Sequence, residues 1–324
     1  MIVVTGAAGF IASALIAKLN ELGFNAIIAV DDFVNLTPEK ERNFTGKTIQ
    51  RRVDLEVFHG WLDEHQAEVE FIFHNGACSA TTIFDKAVFD KLNYNYTIKL
   101  WQQCVEYQLP IVYASSAATY GNGELGYDDD HSFPEKLKPL NLYGESKNNF
   151  DIWALAQEEK PFFWAGLKYF NVYGPNEYHK QRMASVVHHA FNQINENGAM
   201  KLFQSHNPNF EDGGQMRDFV YVKDVVDVQI FLMNSRKHSG LYNVGTGKAR
   251  TFKSLVQATF KAMGKTEQIS YIPTPEDIRD KYQYFTEAKM DKLSAAGYHK
   301  PFHTLEEGVT DYVQNYLMKE KAIY

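Results

Sequence analysis

The chain has 324 residues, 44% hydrophobic and 23% charged, with a formal net charge of −7. This globular composition gives one large or two modest domains and excludes a general nucleic-acid binder, which needs a basic face. Two cysteines, Cys78 and Cys104, exclude a disulfide framework and point to a reducing compartment, and no apolar run approaches the roughly 20 residues that span a bilayer.

Ile2 to Thr5 is a β-branched run broken by Gly6-Ala7-Ala8-Gly9. No basic stretch with a cleavage site precedes it, so a soluble, cytoplasmic protein is expected. Leu15, Leu19 and Leu22 carry helical spacing through residues 10–22, and Gly23 is a stop. Residues 26–30 form the next apolar run and end in Asp31-Asp32, completing a strand–turn–helix–strand unit. Apolar runs recur at 71–73, 111–113 and 165–169, separated by helical patterns. Short, unalternating strands between helices indicate a parallel sheet covered on both faces.

The expected fold is therefore α/β, a doubly wound parallel (Rossmann) sheet over residues 1–170. Beyond it the pattern changes. Residues 183–194 look helical, 204–215 read as a polar loop, and 220–233 pass from strand to helix. Residues 171–216 and 248–324 are expected to form a smaller, interleaved substrate-binding lobe, with about 217–247 rejoining the first domain.

Gly6-x-x-Gly9 stands where a phosphate cradle belongs, because glycines let backbone N–H groups approach a pyrophosphate at a helix N-terminus. Ala12 holds the third small position. Asp31 lies where an acid accepts hydrogen bonds from an adenosine ribose. Asp31-Asp32 taken alone favours NAD, while Lys40, Arg42, Lys47, Arg51 and Arg52 offer counter-charges for a 2′-phosphate; the residues leave NAD and NADP both open. Asn75-Gly76-Ala77 follows an apolar run and would let a cofactor pass close to the backbone.

Tyr143 and Lys147, four residues apart, share one helix face, with Ser115-Ser116 upstream. An ammonium beside a phenol favours the phenolate, so the Tyr143 pKa is expected to fall. Ser116 could hold an alcohol oxygen while a proton and a hydride move. Alone, a Tyr-x-x-x-Lys helix reads as a solvated face; after a dinucleotide fingerprint it reads as catalytic. No His/Cys/Asp cluster has metal spacing, and no metal is expected.

Together with Asn93, Asn171-Val172-Tyr173-Gly174-Pro175, Arg217-Asp218-Phe219-Val220-Tyr221-Val222 and Asn243-Val244-Gly245-Thr246-Gly247, these motifs resemble the extended short-chain dehydrogenase/reductase family over nearly the whole length. Longer strings narrow the resemblance. They are His74-x-Gly76-Ala77-Cys78-Ser79-x-Thr81-Thr82, Tyr113 to Gly121, His179-Lys180-x-x-Met183-Ala184-Ser185-Val186 and Lys281-Tyr282-Gln283-x-Phe285-Thr286. They look like the branch whose members invert C6 of an ADP-linked heptose for the lipopolysaccharide core. That resemblance implies tightly held NADP, a C6 ketone as transient intermediate, an ADP-heptose substrate and a homo-oligomer, commonly a pentamer, with no nucleic acid or membrane partner.

By the same resemblance Lys180 would be a second acid/base beside Ser116, Tyr143 and Lys147. Phe10, Ile11, Cys78, Ser79, Asn93, Lys147 and Val172 would join Gly6, Gly9, Asp31, Asp32, Lys40, Asn75, Gly76 and Ala77 around the cofactor. Ser79, Asn171, Arg182, His189, Phe203, Gln204, Ser205, His206, Arg217 and Tyr282 would meet the substrate, with Arg217 on its diphosphate. Asp32, Ala12 and Arg182 depart from the family pattern, which has Asn, Gly and a small residue there.

Three rival readings differ in the residues they need. A 4,6-dehydratase needs an acid pair where this chain has Ala117-Ala118. A UDP-sugar 4-epimerase needs no such acid. A non-catalytic dinucleotide sensor could lose Ser, Tyr or Lys, and all three are present here.

Overall fold

β-branched and aromatic runs form the strands of the computed structural model, which describes residues 1–80, 84–279 and 283–324. In chain order they are β1 (Ile2–Thr5), β2 (Ile27–Asp31), β3 (Arg51–Asp54), β4 (Phe71–His74), β5 (Ile111–Ser116), β6 (Trp164–Tyr169), β7 (Asn171–Tyr173), β8 (Met200–Phe203), β9 (Met216–Arg217), β10 (Phe219–Tyr221), β11 (Gly240–Val244), β12 (Arg250–Thr251) and β13 (Ile269–Ile272). The helices are α1 (Phe10–Glu21), α2 (Pro38–Glu41), α3 (Phe58–His65), α4 (Lys86–Phe89), α5 (Tyr96–Glu106), α6 (Leu142–Ala156), α7 (Val186–Asn197), α8 (Val222–Ser235), α9 (Phe252–Ala262), α10 (Glu276–Arg279), α11 (Asp291–Ala295) and α12 (Leu305–Tyr312).

Seven strands make one parallel sheet in the order β11-β6-β5-β4-β1-β2-β3. Alternation along each strand feeds two cores. Ile2 and Val4 of β1 join a core with Leu15 and Ile16 of α1 and Val225 and Val226 of α8. Val3 joins the opposite one, with Leu62 of α3, Trp101 of α5 and Phe150 of α6. Each large aliphatic side chain buried this way contributes about 1.5–3 kcal/mol. The chain winds outward from β1 to β3, then returns to place β4 on the other side of β1. The carboxyl ends of β1 and β4 therefore flank the switch point where doubly wound sheets bind ligands.

Three small pairings lie outside the sheet: β7 with β10 and β8 with β13, both parallel, and β9 with β12, antiparallel. Two elements differ from the sequence reading. The edge strand β3 exposes Arg51 and Arg52 and buries only Val53, so it lacks the apolar run that reveals the other strands. The helix expected from residue 183 starts at Val186, because the Ser185 hydroxyl caps it by accepting the His188 N–H at 3.3 Å. Among the described residues no helix is long and apolar enough to cross a membrane.

Candidate active site

The turn after β1 is built by contact between two loops. Gly6 has φ +64°, and a Cβ there would lie 2.6 Å from Gly76 Cα. A Cβ on Gly76 would in turn lie 3.0 Å from the Thr5 hydroxyl. The glycines of the two motifs thus lie against each other at the switch point. Gly9 N–H donates to Gly6 carbonyl at 2.8 Å, and α1 begins at Phe10 without a side-chain cap. Its first amides are left for an anion.

Asp31 is buried at the end of β2. One carboxylate oxygen accepts from Ala8 N–H at 2.9 Å, the other from Asp32 N–H at 2.8 Å. Asp31 therefore braces the Gly-rich turn. The Lys40 ammonium lies 3.7 Å from the same carboxylate. Of the other cations offered for a 2′-phosphate, Arg42 donates to the Glu320 and Lys321 carbonyls and Lys47 to that of Tyr324. Arg52 forms a bidentate pair with Glu41 and stacks 4.5 Å over Phe44. Lys40 is the candidate that lines the cleft.

That cleft has a volume of about 1160 Å³. A single small-molecule site is roughly 300–1,000 Å³, so there is space for more than one nucleotide. Its walls include Gly6, Gly9, Phe10, Ile11, Asp31, Asp32, Asn75, Gly76, Ala77, Cys78, Ser79, Ser116, Tyr143, Lys147, Asn171, Val172, Lys180 and Arg217. The Asn75 side-chain nitrogen is buried without a hydrogen-bond partner among the described residues. An orphaned donor beside a glycine cradle and uncapped amides fits a dinucleotide.

Asn141 caps α6 by accepting the Gly144 N–H at 2.8 Å, which sets Tyr143 in the first turn and Lys147 one turn on. Alternation along β5 separates the two serines. Both border the cleft, but the Ser115 hydroxyl is engaged, donating to Asp151 at 2.7 Å. Asp151 also accepts from Tyr113 at 3.0 Å and pairs with Lys168 at 2.7 Å, both charges fully buried.

Tyr143 departs from expectation. Burial pushes its phenol above the usual value, and a hydrogen bond with Ser116 only partly opposes that. The Lys147 ammonium donates instead to the Ala114 carbonyl at 2.7 Å. Burial pushes Lys147 itself down to about 8, against the attraction of Asp151. Burial dominates at both groups, so the lowered phenol pKa expected from spacing is not made by the protein alone. Lys180 reaches the cleft from a tight turn at 178–183, its ammonium 5.5 Å from the Phe10 ring centre. Burial pushes its pKa down too, and Glu177 opposes that.

Of the other expected site residues, several lie outside the cleft lining and Arg217 lies within it. Asn93 does not line the cleft; it accepts from Cys78 N–H at 2.8 Å and donates to the Cys78 carbonyl at 2.9 Å, so it holds a wall rather than forming one. Arg182 and His189 meet each other at 3.3 Å, outside the cleft lining. Phe203, Gln204, Ser205 and His206 form the end of β8 and its following turn, also outside that lining. Arg217 lines the cleft with its guanidinium donating to the Met216 and Gln283 carbonyls. Tyr282, like Thr81, Thr82 and Lys281, lies outside the described residues.

The cleft also has walls that the motifs missed. Asp54 ends β3, and Leu55 and Glu56 follow it; the strand's exposed arginines concealed it and so its carboxyl end. Phe252 opens α9 beneath Arg217, 5.5 Å from it; a lone Phe at a helix start carries no local signal.

A dinucleotide cradle at the switch point, with Ser116, Tyr143 and Lys147 on the facing wall, defines an enzyme of the short-chain dehydrogenase type. A family model described as the NAD dependent epimerase/dehydratase family matches residues 2–245. The ADP-L-glycero-D-manno-heptose-6-epimerase of Fusobacterium nucleatum is 51% identical, covering 99% of each chain. That of Nitratidesulfovibrio vulgaris is 48% identical, covering 98% of each. The crystal structure of the Helicobacter pylori ADP-L-glycero-D-manno-heptose-6-epimerase superposes with a TM-score of 0.79 at 28% identity, covering 97% of this chain and 95% of that one. The chain belongs to the NAD dependent epimerase/dehydratase family, and within it to the group of these heptose epimerases. Its cofactor class is a nicotinamide dinucleotide.

Proposed function

We propose that this protein inverts C6 of ADP-D-glycero-D-manno-heptose to give ADP-L-glycero-D-manno-heptose, through a transient C6 ketone, for lipopolysaccharide core synthesis. One observation carries the reading: Tyr143 and Lys180, two proton carriers from different elements, line one cleft. Full-length similarity to relatives bearing that enzyme name supports the substrate.

C6 carries no acidic hydrogen, so inversion needs a redox detour, and a bound nicotinamide supplies the reversible hydride acceptor. Ser116 holds the alcohol oxygen. Tyr143 moves its proton for one face of the carbon and Lys180 for the other. As a neutral phenol in the free protein, Tyr143 is set to donate; it turns base only when positive charge arrives beside it. Ala117-Ala118 offer no acid to expel a hydroxyl, which disfavours dehydration.

Gly6, Gly9 and the first amides of α1 would hold the pyrophosphate, Asp31 and Lys40 the adenosine ribose, and Lys147 the nicotinamide ribose. NADP is the proposed cofactor, with NAD weaker. Lys40 supports this, because it offsets the Asp31 charge on the cleft wall and leaves donors for a 2′-phosphate. Residues 171–216 and 248–324 would bind the sugar nucleotide, with Arg217 on its diphosphate. A cytoplasmic homo-oligomer, a pentamer, belongs to the same proposal and is measured by sedimentation.

The test is to denature purified protein, identify the released nucleotide, then supply ADP-heptose to native protein and follow C6 by NMR. NADP and a changed C6 configuration are expected. An unchanged C6 overturns the reading, and released NAD overturns the cofactor assignment.

A further inference from the structure

Lys180 stands in a passage that no sheet ladder holds. Between β7 and α7 the chain turns tightly, with Gln181 at φ +48° and ψ −123°. One side chain closes this passage. Glu177 is 1% exposed; one carboxylate oxygen accepts from the Ser185 hydroxyl at 2.6 Å and from Gly174 N–H at 3.3 Å. The other accepts from Ser185 N–H at 2.5 Å. The end of β7 is thereby tied to the residue that caps α7, and Lys180 lies on the loop so closed. The Lys180 N–H donates to the Glu177 carbonyl at 2.9 Å.

A buried carboxylate is costly unless it is hydrogen-bonded and paired. Burial pushes the Glu177 carboxyl above its usual value; the Ser185 bonds, the Lys180 charge and the Gly174 bond oppose that. Tyr178 and Tyr312 of α12 also face Glu177. Lys180 faces Glu177 and, from α1, the Phe10 ring. Beside it His179 faces Lys180 itself and, from α2, Lys40 and Glu39. Asn176 anchors the base of the passage, its side-chain nitrogen donating to Ser13 Oγ at 3.0 Å and to the Tyr324 carbonyl at 3.0 Å.

We propose that Glu177 is a positioning residue for Lys180: it closes the loop that carries the ammonium into the cleft and keeps a carboxylate on that same loop. This rests on the reading that Lys180 moves a proton. Without the carboxylate, burial acts on Lys180 unopposed and its proton is lost at lower pH.

The experiment has two arms. In the first, lysine labelled with 13C at Cε is titrated by NMR in the wild type, Glu177→Gln and Glu177→Asp, with Lys180→Met assigning the resonance. Lys180 should titrate about one pH unit lower in Glu177→Gln and near the wild-type value in Glu177→Asp. An unmoved Lys180 in Glu177→Gln overturns the proposal. In the second, the pH profile of C6 inversion is recorded for the same variants and for Ser185→Ala. The Lys180 limb should move acidward in Glu177→Gln only. Ser185→Ala keeps the charge and removes the hydroxyl tie, leaving the two backbone N–H ties, and should lower kcat at least about fivefold with the limb in place. If Glu177→Gln does not fold, an unchanged kcat in Ser185→Ala overturns the clamp. A wild type that leaves C6 uninverted removes the proposed function, while the titration still decides the role of Glu177.

Discussion

The two walls of the cleft are held by different means. On the Gly6 side, strand ladders, a helix start and two glycines in contact fix the backbone, and the Asp31 carboxylate braces the turn. On the Lys180 side there is no ladder, and a buried carboxylate with its donors does the holding. Backbone hydrogen bonds are common to all sequences, so the first wall tolerates change wherever a Cβ fits. The second wall depends on particular atoms and fails when one is removed. The proposed function gives a reason for both: a fixed cradle on one side, and Lys180 as the proposed second acid/base on the other.

The largest effect should come from removing the two proposed proton carriers. Tyr143→Phe should cut C6 inversion by about a thousandfold and Lys180→Met by about a hundredfold, with the dinucleotide retained in both. Full activity in the double variant would end the pairing of the walls. Lys168→Met leaves the Asp151 carboxylate of α6 buried without its ion-pair partner, and urea unfolding should show a loss of about 3–5 kcal/mol. An unchanged midpoint would show that the sheet alone holds that wall.

Gly6→Ala tests the backbone wall directly. The left-handed backbone alone should cost about 1–2 kcal/mol, and the clash with Gly76 should weaken dinucleotide binding further, as read by calorimetry. Lys40→Ala should reduce the preference for NADP over NAD by about tenfold in competition binding. The smallest effect is one of pH. Lys147, pushed down to about 8, is an ammonium below that value and a neutral amine above it. Dinucleotide affinity should therefore fall a few-fold as pH rises through about 8, and a flat profile would leave Lys147 outside the ribose site.

The strands with apolar runs, the Gly6 turn and the Tyr143–Lys147 face were legible because each depends on residues within a few positions of one another. β3 was not, since its charged edge hides the pattern. Among the candidate cations, spacing could not separate Lys40 from Arg42, Lys47 and Arg52, which fold away onto carbonyls, a carboxylate and a ring. Asn93 showed the converse: a residue flagged for the cofactor supports the Cys78 loop instead.

The sequence by itself determined the sheet's parallel character, the position of the cradle and the identity of the phenol and lysine one turn apart. These follow from the periodicity of strand and helix and from the need for glycine where backbones touch. Only the tertiary structure decided the charge state of those groups. A pKa depends on burial and on neighbours brought in through space, and here burial lifts the Tyr143 phenol, which the lysine one turn away was expected to lower.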